Sequence, residues 1–285
     1  MRSQKIEIRL LQEKDIPLAM KLKNQAGWNQ IERDWKRFLS LEPEGCFLAL
    51  LNGQPAGTTV AVRYGKEVAW IGMVLVEARL RGRGIGRKLL EHALAWLREA
   101  GVRTVKLDAT PAGRPLYEKL GFVEECTIFR WSGSGRRSTA FSLPAVNRAD
   151  LAEVVTFDTF YFGTCRERVL YALMRDYPGS GFVSRGPDGT INGYGLARKG
   201  EKAMHLGPVV ASSVAVAEKI LDNLLCLAAG SFVFIDVIER NGAATSLVAR
   251  RAFTRQRGLT RMYLGENSHP GEISGIYAIS GGEKG

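Results

Sequence analysis

Residues 74–90, which read VLVEARLRGRGIGRKLL, constrain the fold more strongly than any other part of this sequence. A β-branched run ends at Val76, a basic turn rich in glycine covers residues 81–87, and an amphipathic helix starts near Gly86. The first amides of a helix have no partner within the helix, and the helix dipole favours negative charge at that end. The stretch therefore predicts a strand, loop and helix that together bind an anion such as a diphosphate.

The spacing of the glycines separates this loop from other phosphate-binding loops. A Walker A loop needs Lys and then Ser or Thr after its last glycine, whereas Arg87 and Lys88 follow Gly86 here. A dinucleotide-binding G-x-G-x-x-G pattern is also missing. The loop does match R-x-x-G-x-G through Arg81, Gly84 and Gly86. On this motif and its strand-to-helix context, the chain resembles the GNAT superfamily of N-acetyltransferases, whose signature loop binds the pyrophosphate of acetyl-CoA.

The resemblance implies that main-chain amides of the strand and the loop bind acetyl-CoA (coenzyme A). Residues 74–76 could equally be ordinary buried strand. The two roles are compatible, because the backbone would bind the cofactor while the side chains pack in the core. Members of the superfamily often place an asparagine after the next strand, and Thr110 is the candidate to replace it here. The predicted cofactor-binding residues are Val74, Leu75, Val76, Arg81, Gly82, Arg83, Gly84, Ile85, Gly86, Arg87 and Thr110.

Two residues are candidates for the chemistry. Tyr117 lies in LYEKLGF, where similar enzymes place a tyrosine that protonates the departing thiolate; the alternative is a half-buried structural tyrosine. Asp108 ends the preceding strand and is a candidate for the general base or for an anchor of a cationic acceptor. The alternative for Asp108 is a cap of the following turn.

The region AGWNQIERDW contains the candidates for acceptor binding, because it lines the acceptor pocket in similar folds. Trp28 and Trp35 could hold an amine by cation–π contact, with Asn29 beside them. Two tryptophans of the hydrophobic core are an equally good interpretation.

Composition limits the classes of partner. The chain has 285 residues and a net charge of +11, but its basic residues are spread along the whole length, which disfavours nucleic acid as the partner. Four scattered cysteines and three histidines give no spacing for a metal site. No segment resembles a signal peptide or a membrane span, so we expect a reduced, cytoplasmic protein with no metal and no membrane contact.

Hydrophobic patterning predicts the element order β-α-α-β-β-β-α-β-α-β over residues 1–131, which is the GNAT order. The same order recurs after a basic, flexible linker. In the repeat, LDA at 107–109 pairs with IDV at 235–237, and LYEKLGF at 116–122 pairs with LVARRAF at 247–253. The predicted domains are residues 1–131, a linker at 132–140, and a degenerate GNAT-like domain at 141–285.

The second repeat has lost the phosphate loop. Val76 and Gly101 lie 25 positions apart, whereas their counterparts Val210 and Gly230 lie 20 apart, and the intervening ASSVAVAEK has no arginine or glycine. The segments FDTFYFGTCR and HLGPVVA resemble the C-terminal domain of two-domain GNAT proteins. We therefore expect acetyl-CoA chemistry only in the first repeat.

Together these observations predict an α/β (α+β) tandem GNAT fold, in which each half has a mixed, mostly antiparallel sheet flanked by helices. The predicted activity is acetyl-CoA-dependent transfer to the primary amine of a small molecule. A non-catalytic acyl-CoA sensor and a protein N-acetyltransferase are the alternatives, and a homodimer is left open.

Overall fold

The computed structural model describes residues 5–136 and 141–285. The chain divides into two compact units, which are described separately. The first unit extends to Leu107 and includes Lys284, and the second comprises Asp108–Glu283 with Gly285. Among the described residues, every helix is too short or too polar to cross a bilayer.

The observed elements confirm the predicted order of strands and helices in both halves. The strands are β1 (Ile6–Leu10), β2 (Cys46–Leu51), β3 (Gln54–Tyr64), β4 (Val68–Val76), β5 (Thr104–Ala109), β6 (Val123–Ser134), β7 (Gly181–Arg185), β8 (Ile191–Arg198), β9 (Met204–Ala211), β10 (Phe232–Ile238), β11 (Thr254–Gly265) and β12 (Ile276–Ala278). The helices are α1 (Ile16–Gln25), α2 (Glu32–Leu41), α3 (Ile85–Glu99), α4 (Arg114–Lys119), α5 (Leu151–Phe162), α6 (Glu167–Asp176), α7 (Val214–Leu227) and α8 (Gly242–Ala249).

In the first unit, β1, β2, β3 and β4 form consecutive antiparallel pairs, and β4 then pairs in parallel with β5. The hairpin between β2 and β3 turns at Asn52 and Gly53, both with positive φ, as the Asn-Gly signal predicts. Helix α3 buries the apolar stripe that begins with Ile85 and Leu89. It packs so closely on β3 that a Cβ at Gly57 would lie 3.2 Å from the Leu89 side chain.

In the second unit, β6 lies between β10 and β11 and pairs antiparallel with both. The final strand of the first sequence repeat is therefore enclosed by strands of the second repeat. This pairing is why the compact units separate at Leu107, although the sequence repeat is predicted to end at residue 131. The domain limits at 131 and 140 remain a prediction about the repeats.

The predicted linker is wrong at its start. Ser132 and Ser134 continue β6, because they pair with Phe234 and Phe232 of β10. The polar composition of this stretch concealed a strand whose hydrogen bonds are supplied by a neighbour distant in sequence. Residues 137–140 of the predicted linker lie outside the described part of the chain.

The structure also corrects the bounds of α8 and β11. The sequence predicts a helix up to Phe253 and a strand from Arg261, whereas α8 ends at Ala249 and β11 begins at Thr254. Ala252 adopts a positive φ of 62°, and this left-handed residue closes the helix as a C-terminal cap does. The arginine-rich start of β11 lacks apolar alternation, so its pairing with β6 was not visible in the sequence.

A buried row of charged residues crosses the sheet of the second unit. Arg130 binds Asp236 through two hydrogen bonds of 2.7 Å, and Arg198 pairs with Glu283 at 3.0 Å. His205 is fully buried beside them. Burial and the positive charge of Arg198 lower the pKa of His205 to about 3, against the partly opposing effect of Asp236.

We expect His205 to make stability sensitive to acid. The unfolded chain protonates this imidazole near its ordinary pKa of 6.5, while the folded chain resists protonation until about pH 3. The free energy of unfolding therefore falls as the pH drops from 6.5 toward 3. In urea titrations at pH 7 and pH 4, His205→Gln should lose less unfolding free energy between the two pH values than the wild type does. Equal losses in the two proteins would contradict this assignment.

Candidate active site

The loop before α3 has the backbone conformation that its glycines permit. Gly82 and Gly84 have φ values of 76° and 81°, in the left-handed region that favours glycine. A Cβ added at either position would meet no atom within 4 Å. The backbone conformation therefore favours glycine at both positions. The side of the loop on which a Cβ would lie is not covered by other protein atoms.

The main-chain donors of this loop are free of protein acceptors. Gly84 is the N-cap of α3, no side chain caps this end, and the first helical hydrogen bond runs from the Lys88 amide to the Gly84 carbonyl. Among the described residues, the amides of residues 83–87 donate to no protein acceptor. The nearest carboxylate partner of Arg87 is Glu91, which lies one turn further along the same helix. The loop is exposed, cationic and able to accept a diphosphate.

Strand β4 leaves one of its edges free near its C-terminal end. Its parallel pairing with β5 covers only residues 68–70 and 104–106. Beyond Trp70, within the described chain, β4 pairs with β3 alone. Val74, Leu75 and Val76 lie in this part of β4, where main-chain groups on the β5 side can bind an extended ligand.

A bulge within β4 was missed in the sequence. The register between β3 and β4 shifts between Thr58 and Val60, and Met73 takes a positive φ of 54°, which is uncommon for a residue other than glycine. The Thr58 hydroxyl donates a 2.9 Å hydrogen bond to the Met73 carbonyl. The bulge redirects the backbone immediately before Val74. Gly72, a glycine inside a strand, was the available signal.

Thr58→Val should weaken the bulge because it removes the hydroxyl and keeps the β-branched shape. We expect a loss of about 1 kcal/mol of unfolding free energy, the usual worth of one hydrogen bond, together with a lower kcat. Thr59→Val is the matched control, because its hydroxyl is also buried but lies 3.5 Å from the Gly72 carbonyl. Equal stability and activity of both variants would show that the Thr58 bond does not support the bulge.

In the second unit, Tyr117 lies on α4 with its ring buried against Phe122 at a centroid distance of 5.9 Å. Among the described residues its hydroxyl makes no hydrogen bond. Burial raises the pKa of Tyr117 well above its ordinary value of 10, so the hydroxyl keeps its proton at neutral pH. A protonated phenol that has no protein partner is available to act as an acid.

Asp108 does not cap the following turn. Its carboxylate is fully buried and binds the Arg261 guanidinium through hydrogen bonds of 2.8 and 3.1 Å. The turn is capped instead by Thr110, whose hydroxyl accepts from the Gly113 amide at 3.2 Å. Burial raises the pKa of Asp108, and Arg261 opposes that rise. Any role of Asp108 as a base or an anchor must be shared with this arginine.

The candidate acceptor residues differ in exposure. Trp28 is half-buried and Asn29 is buried, in the segment between α1 and α2. Trp35 is fully buried on α2, as a core tryptophan would be. The three residues are therefore not equally available to a ligand. No cluster of His, Cys, Asp or Glu suited to a metal ion occurs in the described part of the chain.

Comparisons with known proteins agree with this architecture. The acetyltransferase (GNAT) family model matches residues 14–122, and an acetyltransferase (GNAT) domain model matches residues 154–278. Holothin acyltransferase from Pseudoalteromonas sp. (strain SANK 73390) is 28% identical over 90% of this chain and 87% of its own length.

Solved structures extend the similarity to the whole chain. A candidate acetyltransferase from Pyrococcus horikoshii superposes with a TM-score of 0.86 and 28% identity, covering 100% of this chain and 98% of the other. A tandem GNAT protein from the clavulanic acid biosynthesis pathway shares the fold, with a TM-score of 0.64 and 16% identity over 92% of this chain and 98% of its own. The protein described here is thus an acyltransferase of the GNAT acetyltransferase family, with two GNAT domains in one chain.

Proposed function

We propose that this protein transfers the acetyl group of acetyl-CoA to the primary amine of a small molecule, and that the first repeat binds the cofactor. The observation that carries the proposal is the loop of residues 83–87, whose amides donate to no acceptor in the described part of the chain. At the two left-handed glycines of this loop region, Gly82 and Gly84, an added Cβ would meet no atom within 4 Å. The family generally uses acetyl-CoA, and its diphosphate matches this cationic helix start. Four free cysteines fit the reducing cytoplasm that we propose as its location.

Several groups of the chain would hold the cofactor. The loop amides with Arg81 and Arg83 would hold the diphosphate. The free edge of β4 at Val74, Leu75 and Val76 would hold the pantetheine arm and the thioester through main-chain groups. Acetyl-CoA supplies an acetyl group activated as a thioester. The residues that bind it act by orienting that group toward the amine, which lowers the entropic part of the barrier.

We assign proton transfer to Tyr117 and Asp108, the two candidates for the chemistry in the sequence. Within the described residues the Tyr117 hydroxyl makes no hydrogen bond, and burial keeps its proton on at neutral pH. We assign to it the protonation of the sulfur when the new C–N bond has formed and the C–S bond breaks. The amine must also lose a proton. Asp108 is our candidate to accept that proton or to hold the ammonium, with Arg261 fixing the orientation of its carboxylate.

Several features support a small acceptor. The relative that aligns along 90% of this chain is named for holothin. Half-buried Trp28, next to buried Asn29, offers an aromatic face of a size suited to one cation. We assign the acceptor to the class of primary amines rather than to protein N-termini.

A panel of amines with detection of released thiol tests the proposal. The panel should contain small primary amines and peptides with free α-amino groups, with acetyl-CoA alone as the background. We expect turnover with at least one small amine. Turnover with peptides alone would identify a protein N-acetyltransferase, and calorimetric binding of acetyl-CoA without turnover of any amine would identify a sensor. Either outcome would overturn the proposal.

A further inference from the structure

In the second half of the chain, two parallel strands separate and leave a cleft, as β4 and β5 do in the first half. In the described part of the chain, strands β9 and β10 pair only through residues 204–205 and 233–234, and this pairing ends at His205. A V-shaped opening of this kind exposes main-chain donors and acceptors on both of its sides.

Strand β12 fills this opening. It runs antiparallel to β9, with Ile276 opposite Val210 and Ala278 opposite Val209. At the apex, the Ile279 amide donates a 2.9 Å hydrogen bond to the Asp236 carbonyl of β10. The segment of residues 276–279 therefore bonds to both walls of the cleft.

The segment is held in place by one side chain. The Nδ2 of Asn241 donates to the carbonyls of Ile273, Ser274 and Ile276 at 3.0, 3.2 and 3.0 Å. Its Oδ1 accepts from the Ala244 amide and caps α8. Residues 276–279 are all buried. Asn241 thus anchors the buried strand at Ile276 and fixes the turn of residues 273–274 that leads into it.

When the two sequence repeats are aligned, the opening between β9 and β10 corresponds to the opening between β4 and β5. Val210 corresponds to Val76, and Asp236 corresponds to Asp108. In the first unit, among the described residues, β4 has no second partner beyond Trp70. In the second unit, the equivalent part of β9 has β8 on one side and β12 on the other.

We propose that residues 276–279 are a built-in occupant of the second cleft, so that the chain binds one coenzyme A and not two. They take the position that the pantetheine arm takes in the first half, and this comparison rests on the proposed function. The N-terminus of α7 also supports a single coenzyme A site, because the Ser213 hydroxyl caps this helix by accepting from the Val216 amide at 3.4 Å. In the second half, protein groups thus occupy the free edge of β9 and one amide of the α7 helix start.

Calorimetry and hydrogen–deuterium exchange on the full chain test this inference. Titration with coenzyme A should give one site per chain. The amides of residues 209–210 and 276–279 should be protected without ligand and unchanged by coenzyme A, whereas the amides of residues 74–76 should gain protection. Two sites per chain, or new protection at residues 209–210 on adding coenzyme A, would overturn the inference.

A matched pair of variants tests the anchor. Asn241→Asp keeps the oxygen that caps α8 but replaces the donor with an acceptor, so exchange at residues 209–210 and 276–279 should rise at least about tenfold. Asn223→Asp is the control, since it keeps the oxygen that accepts from Ser142 and Leu143 and loses donors remote from β12. Equal exchange at these residues in both variants would contradict the role of Asn241.

Different results would contradict the proposed function and the proposal that residues 276–279 occupy the second cleft. If coenzyme A does not bind at all, the proposed function fails, while protection of residues 209–210 and 276–279 in the free protein still reports whether β12 occupies its cleft. If coenzyme A binds and those amides exchange freely in the wild type, only the occupant is wrong.

Discussion

Replacing Gly84 by alanine is expected to weaken acetyl-CoA binding by at least about 30-fold, which corresponds to about 2 kcal/mol. Gly84 has a φ of 81° and is the N-cap of α3, so an alanine there must adopt a left-handed backbone or turn the neighbouring amides away. Losing even one or two hydrogen bonds to a charged diphosphate accounts for this magnitude. Calorimetry with acetyl-CoA measures the change directly.

Gly101 provides the matched control for this prediction. It lies beyond the other end of α3, has a φ of 80°, and a Cβ there would also meet no atom within 4 Å. Gly101→Ala should therefore lose a similar amount of stability, about 1–2 kcal/mol for a left-handed alanine, and bind acetyl-CoA like the wild type. If both variants lost affinity equally, the effect would arise from strain in α3 and not from the loop.

Tyr117→Phe is expected to lower kcat about 100-fold, the contribution typical of one general acid, and to leave the KM for acetyl-CoA nearly unchanged. Its unfolding free energy should change by less than about 0.5 kcal/mol, because the hydroxyl makes no hydrogen bond within the described chain. Since burial raises the pKa of Tyr117 above 10, the wild type should also keep its protonated acid throughout the neutral range. Steady-state kinetics with thiol detection measures both parameters.

Tyr194→Phe is the contrasting variant. Its hydroxyl is buried and donates to Asp158, which also binds Arg166. This variant should lose stability, because a buried carboxylate loses one of its donors, and keep kcat. A Tyr117→Phe protein with full activity would reduce Tyr117 to the structural tyrosine that the sequence also allowed.

Elements with strong local signals were predicted well from the sequence. Apolar runs and turn residues predict strands at residues 46–51 and 68–76, and β2 and β4 have these bounds, with Asn52 and Gly53 after β2. Apolar spacing and flanking glycines predict a helix from about Gly86 to Ala100, and α3 runs from Ile85 to Glu99.

Features that depend on distant partners were not predicted. The strand pairing of Ser132–Ser134 is supplied by β10, about 100 residues away in sequence, and the partner of Asp108 is Arg261, 153 positions away. Met73 adopts its left-handed conformation inside a bulge for which only Gly72 gave a hint. The motif LYEKLGF was enough to identify Tyr117 as the acid candidate, whereas the structure was needed to show that its hydroxyl makes no hydrogen bond to the described residues.

Amide NMR can show whether the loop of residues 83–87 binds the diphosphate of coenzyme A. Coenzyme A and pantetheine, which lacks the diphosphate, should be titrated separately while the amide signals of residues 83–87 are followed. We expect coenzyme A to shift these signals, and pantetheine to leave them in place even at concentrations that perturb residues 74–76. Unchanged loop amides at saturating coenzyme A would show that the diphosphate is held elsewhere.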